Sequence, residues 1–411
     1  MQISKETFVS MLERMASFGT APEQGCSIFG VGYEDAFLKV KNKYLIDQFE
    51  RGTSSEKFVV GPFGSGKTHF LRQLMEMSRD LDCVTAEIAL NKDIDFTKSL
   101  SVYCEVAREI QTPENKDHGI RALLEAGLEK VRSQTNDLSM QDILVNGWIS
   151  SLDKVDFKFK TFGIIIKKAL LAKVSEDQIV FDSCCRWLEG DINDKDLSRE
   201  LNVPKIDISS NNLYAKHMLL SLFQFIRQSQ FRGTVVCFDE AEQGLSVNKK
   251  KTEKILSMLM AGIEAITNLS GGSALIVYAL TPDLVDKMKN FAALQQRISN
   301  PLGRSFFEGN VLAPIIDLTR RDPLDDLQKI GCKLVDVFYN FFSDEVSVPK
   351  EQVIEYILQI AADIVENEIS SSNRRDMVKN VCSILNGILE TGEIVASAAL
   401  KNNNTIEESE V

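Results

Sequence analysis

Histidine and tryptophan are scarce, with three and two copies in 411 residues. Eight cysteines are scattered and form no CxxC pair; Cys184 and Cys185 are adjacent but have no such partner, and Cys237 and Cys382 sit in apolar runs. These shortages count against a zinc site or a disulfide framework and make a reducing cytoplasm the expected home. Trp148 and Trp187 read as core residues, not as platforms for stacked bases. Long apolar runs are missing too. The most apolar mid-chain stretch, 162–171, is broken by Lys167 and Lys168, so no membrane span is expected. The first eighteen residues form an amphipathic pattern through Phe8, Met11, Leu12 and Met15, without the basic start and apolar block of a secretory signal. Positive charge is in the minority: 47 Lys and Arg face 59 Asp and Glu, for a net charge of -12. A field of that sign repels nucleic acid, so any contact with double-stranded DNA would need a local basic patch or a partner.

What is present is an alternation of strands and helices. A helical lead-in is expected over 1–50, and Lys57 to Val60 reads as a short buried strand. Val84 to Leu90, Thr234 to Phe238, Ala274 to Leu280 and Val311 to Leu318 read as further strands. Between the second and third lies a long helical insertion, about 96–210, and another helix is expected through Ile255, Met258, Leu259, Ile263 and Ile266. Such alternation implies an α/β fold, a parallel sheet flanked by helices. The division expected is an α/β core over 51–321, an all-helical lid over 322–400 opened by Asp322-Pro323, and a polar, disordered tail over 401–411.

The strand at Lys57 runs into Gly61-Pro62-Phe63-Gly64-Ser65-Gly66-Lys67-Thr68-His69, which fits the Walker A pattern. Glycines let successive backbone N–H groups converge on one anion, and the helix that follows adds its positive end. Lys67 would meet the β- and γ-phosphates, and the Thr68 hydroxyl would bind Mg²⁺. Thr234 to Phe238 would deliver Asp239 as the second metal-binding residue and Glu240 as the group that polarises the attacking water. Asn91-Lys92-Asp93-Ile94 approaches the guanine-reading NKxD pattern, but Ile94 stands where aspartate is needed. ATP is therefore expected in place of GTP.

Three further positions point to an AAA+-type module. Thr281, at the end of a strand, sits where a sensor of the γ-phosphate would be, or it opens a simple Thr-Pro-Asp turn. Arg297 sits where an arginine finger for a neighbouring subunit would lie, with Arg304 and a plain surface role as alternatives. Arg374 opens a helix through Met377, Val381, Ile384 and Leu385, the place of a lid sensor; Arg375 and a structural role are the alternatives.

Across most of its length the chain resembles the ATP-binding proteins of BREX-type bacteriophage-exclusion systems. The resemblance runs through Ile28-Phe-Gly-Val-Gly-Tyr-Glu-Asp35, the segment from Lys57 to Leu71, Cys185-Arg-Trp-Leu-Glu-Gly190, the stretch from Gly233 to Glu242, and Leu294-Gln-Gln-Arg297. Thr68 replaces the more usual serine, and Gly32-Tyr33 stands where such modules often carry Gly-Arg. The resemblance implies a role in prokaryotic antiviral defence, acting on or near DNA beside a helicase, nuclease or methyltransferase. An ATPase of this type, working as a homo-oligomer, would couple Mg-ATP hydrolysis to conformational change or assembly; the alternative is a slowly hydrolysing switch or scaffold. Lys154, Lys158, Lys160, Lys167, Lys168 and Lys173, and the loop Asn248 to Lys251, are candidate DNA or partner surfaces, or solvated faces of an acidic protein.

Overall fold

The computed structural model describes residues 4–90, 98–114, 117–240, 253, 256, 260, 262–264, 266–300, 302–319, 323–366 and 373–394. The Asn91 to Ile94 segment, the Asn248 to Lys251 loop, Ile255, Met258, Leu259, Asp322 and the tail 401–411 lie outside the described residues.

Five strands form one sheet: β1 (Ser55–Val60), β2 (Cys83–Ala89), β3 (Gly233–Asp239), β4 (Ala274–Leu280) and β5 (Ile315–Asp317). Their order is β2-β3-β4-β1-β5, and every pairing is parallel. β3 and β4 are buried along their whole length, which is why they read as continuous apolar runs and not as alternating ones. The fifth strand is shorter than the pattern from Val311 to Leu318 predicts. The Lys57 ammonium donates to the carbonyls of Leu312 and Ala313, and the Tyr44 hydroxyl to that of Val311, so these carbonyls serve side chains instead of a ladder. Pro314 then leaves three residues to pair with β1.

Two apolar cores cover the two sheet faces. One joins Phe58, Phe238 and Tyr278 to the helices between β2 and β3, among them Lys160–Val174, Gln178–Leu188 and Asn211–Gln228. Trp187 is fully buried there, and Trp148 packs at its margin with Nε1 donating to Gln228 O, as core roles require. The other core sets Val59, Val235 and Val277 against Phe37, Tyr44 and Phe49 of the lead-in and against the helix Lys67–Asp80. A third core is all-helical. Helices Pro323–Phe342, Lys350–Glu366 and Asn373–Thr391 close around Phe8, Met11, Leu12 and Met15 of the helix Lys5–Phe18. The lead-in is thus split: its first helix belongs to the C-terminal bundle, and residues 33–49 belong to the sheet. Among the described residues no helix is long and apolar enough to cross a membrane.

The strap that joins these two parts is fastened by the helix Lys67–Asp80. Glu76, 5% exposed, accepts from the N–H groups of Cys26 and Ser27, both at 2.9 Å. Arg72 donates to the carbonyls of Ala21 and Pro22 while pairing with Glu87 of β2. Glu76→Ala would strand two amides, so a loss of about 3 kcal/mol in urea-unfolding stability is expected. A change below about 0.5 kcal/mol, the size of an ordinary surface substitution, would show that the strap is held by other contacts.

Candidate functional site

The site starts where β1 ends. Gly61 N donates to Leu280 O of β4 at 3.1 Å, so the loop leaves the end of β1 tied to the neighbouring central strand. Ser65 folds back beneath Gly61, and a Cβ at Gly61 would lie 2.3 Å from Ser65 Oγ. Gly66, at φ +90°, holds a left-handed turn that a side chain resists, and Lys67 follows as the first residue of the helix. Lys67 is 8% exposed; its Nζ donates to Gly61 O at 2.9 Å and Pro62 O at 3.1 Å and sits 5.3 Å from the exposed Phe63 ring.

β3 brings Asp239 to the same place. The Thr68 hydroxyl donates to Asp239 Oδ2, and Asp239 Oδ1 accepts from Glu240 N at 2.9 Å. Glu240 is exposed with φ 56°, a conformation uncommon outside glycine that concentrates at functional positions. Thr68 and Asp239 offer a divalent cation two hard oxygens. Among the described residues no group of three or more His, Cys, Asp or Glu is placed to hold a metal.

A cavity of about 410 Å³ opens beside the loop. Gly64, Gly66, Lys67, Thr68, Asp239 and Glu240 line it from the loop and the end of β3, and Met15, Phe29, Val31, Ile330, Leu334 and Val378 give it an apolar lining from the helical-bundle core. Arg374 joins it from the C-terminal bundle. Its Nη1 lies 3.5 Å from where a Gly66 Cβ would be; its guanidinium stacks 4.9 Å from the Tyr33 ring and pairs with the buried Asp326. Arg375 also lines the cavity, but its stem packs over Gly19. Of the two sequence candidates, Arg374 is the one beside the loop. Burial, then the charges of Arg374 and Arg72, hold His69 down at about 4, so its ring is neutral near pH 7. Two buried polar atoms along this stretch, Ser65 Oγ and His69 Nε2, have no hydrogen-bond partner.

Not every candidate converges on the cavity. Gly61, Pro62 and Ser65 form the back of the loop. Thr281 follows the β4 residue that accepts from Gly61 N; it is 7% exposed and starts the helix Pro282–Lys289, off the cavity wall. Arg297, in Ala292–Ile298, and Arg304 are exposed and also lie off it. Among the lysines of the insertion, Lys167 pairs with Asp153 and Lys173 with Glu125, while Lys168 donates to Leu201 O. These pairings dilute the basic patch. Sequence reading missed Arg72, Glu76 and Asp326; Tyr33, noted there for its place in the lead-in, lines the cavity under Arg374. Arg72 and Glu76 do recur at helical spacing, but the strap they hold lies about fifty residues upstream.

A parallel sheet in which an inner strand, β1, runs into a glycine-rich loop and helix, with a carboxylate at the end of β3 facing the loop hydroxyl, defines a nucleotide-binding class of α/β protein. The chain belongs to the family of BREX system ATP-binding proteins BrxC/D, whose model matches residues 3–404. That membership implies ATP binding and a part in anti-phage defence. No curated protein matches the chain.

Proposed function

We propose that this chain is an AAA+-type P-loop ATPase that couples Mg-ATP hydrolysis to conformational change or assembly within a BREX system. It would act on double-stranded DNA or on a helicase, nuclease or methyltransferase partner. The observation that carries this reading is the Thr68 hydroxyl against the Asp239 carboxylate at the mouth of the glycine-rich loop, with Glu240 next in the chain. The sheet order, followed by a helical bundle that sends Arg374 back to the loop, supports the same class.

In this reading the loop amides and Lys67 hold the β- and γ-phosphates. Thr68 and Asp239 hold Mg²⁺, which supplies charge neutralisation when bound. Glu240 orients the attacking water and takes its proton. Arg374 leans over the phosphates from the bundle, and the apolar lining of the cavity receives the base. Thr281, one residue past the β4 carbonyl that holds Gly61 N, lies off the cavity wall and in this reading senses the γ-phosphate through the loop.

Arg297 is exposed and off the cavity wall, so its part is to complete the site of a neighbouring copy. A homo-oligomer is then the working form. Turnover per chain should rise with protein concentration, and Arg297→Ala should lower it by about 10³-fold, the scale of an arginine finger, with ATP affinity little changed. Turnover that is independent of concentration and survives Arg297→Ala would sink the trans-acting role.

A further inference from the structure

Arg374 starts from one core and reaches a loop that belongs to another. It opens the helix Asn373–Thr391 of the C-terminal bundle, whereas the loop leads into the helix Lys67–Asp80, which packs on the sheet. A long side chain that crosses such a boundary samples many rotamers unless its end is held. Here it is held twice. Nη2 donates to Oδ2 of Asp326, which is 6% exposed in the first turn of the helix Pro323–Phe342. The guanidinium also lies 4.9 Å from the ring of Tyr33, at the end of the strap. That ring is itself fixed: it is 4% exposed and meets Phe70, on the helix that follows the loop, edge-on at 5.6 Å. The third side of the arginine faces the loop. A Cβ at Gly66 would stand 3.5 Å from Nη1 and 3.8 Å from Cδ. One edge of the planar fork is therefore taken by a carboxylate and one face by a ring, with the Nη1 side against the curl of the loop.

We propose that Asp326 and Tyr33 are positioning residues that aim Arg374 at the phosphates of a nucleotide held by the glycine-rich loop. This rests on the ATP reading of the cavity and deepens it. Arg374 touches the ligand; Asp326 and Tyr33 act through it. The carboxylate keeps a partly buried cation paired, and it takes up one edge of the fork so that the remaining N–H groups point one way. Order of that kind is built into the folded protein and is not imposed anew at each binding event, so it contributes to affinity. A negative charge beside the arginine also weakens its pull on phosphate. Phosphate and carboxylate would use different N–H groups of one fork, so the gain in aim outweighs the lost attraction.

The test is a double-mutant cycle in equilibrium binding of a fluorescent ATP analogue to the full chain. Asp326→Asn, Tyr33→Leu and Tyr33→Phe are each measured alone and in the Arg374→Ala background, beside Lys67→Ala, with the melting temperature of every variant. Asp326→Asn should weaken binding by about tenfold alone and by less than about twofold in the Arg374→Ala background, because two residues that act through one contact do not add. Tyr33→Leu, which removes the ring face, should weaken it by about fivefold with the same dependence on Arg374, and Tyr33→Phe should bind as wild type. A merely structural role would lower the melting temperature and weaken binding equally in both backgrounds, and that result would overturn the proposal. So would tighter binding by Asp326→Asn, which would make the carboxylate a competitor of phosphate for the arginine. Should Asp326→Asn not fold, the cycle on Tyr33→Leu decides alone. Failure of wild type to bind the analogue, or binding that Lys67→Ala leaves intact, would overturn the ATP reading of the cavity itself.

Discussion

Lys67→Ala is expected to weaken ATP binding by at least about a hundredfold, the loss of a charge-assisted contact to phosphate worth about 3 kcal/mol. Equilibrium binding of a fluorescent ATP analogue reads it directly. The size follows from where the ammonium sits. It is nearly buried and held over the loop by the carbonyls of Gly61 and Pro62, the same curl whose amide groups would cradle the phosphates. The arrangement is preorganised: the charge needs only to swing from two carbonyl oxygens to phosphate oxygens, which bind it more strongly. Removing those two bonds also costs the folded loop something, so the melting temperature is read beside the affinity. An unchanged affinity in a folded variant would mean that ATP binds elsewhere.

Glu240→Gln has the second large effect. Hydrolysis should fall by about 10²- to 10⁴-fold, the range of a lost general base, while ATP affinity stays within a few-fold of wild type. The substitution preserves shape and the backbone N–H that Asp239 accepts, so the cation-holding pair with Thr68 is left in place. Phosphate release under saturating ATP measures it. If the variant also lost ATP binding, Glu240 would be part of the ligand cradle and not the group that acts on water.

The strands of the sheet and the whole loop from Gly61 to Thr68 were legible in the sequence. Buried parallel strands leave unbroken apolar runs, and the turn at Gly66 demands its glycine. The pairing of Thr68 with Asp239 was legible too, because the motif that carries Thr68 follows β1 directly and Asp239 ends β3. The outer strand was legible only in part. Its first residues are diverted by Lys57 and Tyr44, long-range donors that no local pattern reports. The same limit hid the route by which the lead-in reaches the site. An amphipathic stripe at Phe8, Met11, Leu12 and Met15 announces a buried face but not its partner, which lies more than three hundred residues away in the C-terminal bundle. Arg374 and Arg375 were indistinguishable in sequence, since both open one helix. Burial decides between them: Arg374 turns inward to Asp326 and Tyr33, and Arg375 packs its stem on Gly19.

The central claim is that one cavity both binds Mg-ATP and hydrolyses it. It is tested most directly by measuring bound ATP and released phosphate in the same sample of the intact chain, with and without double-stranded DNA, beside Lys67→Ala and Glu240→Gln. The account predicts that wild type binds and turns over, that Glu240→Gln binds without turning over, and that Lys67→Ala does neither. Wild type that binds ATP yet releases phosphate no faster than Glu240→Gln, with DNA present and at every protein concentration, would contradict it.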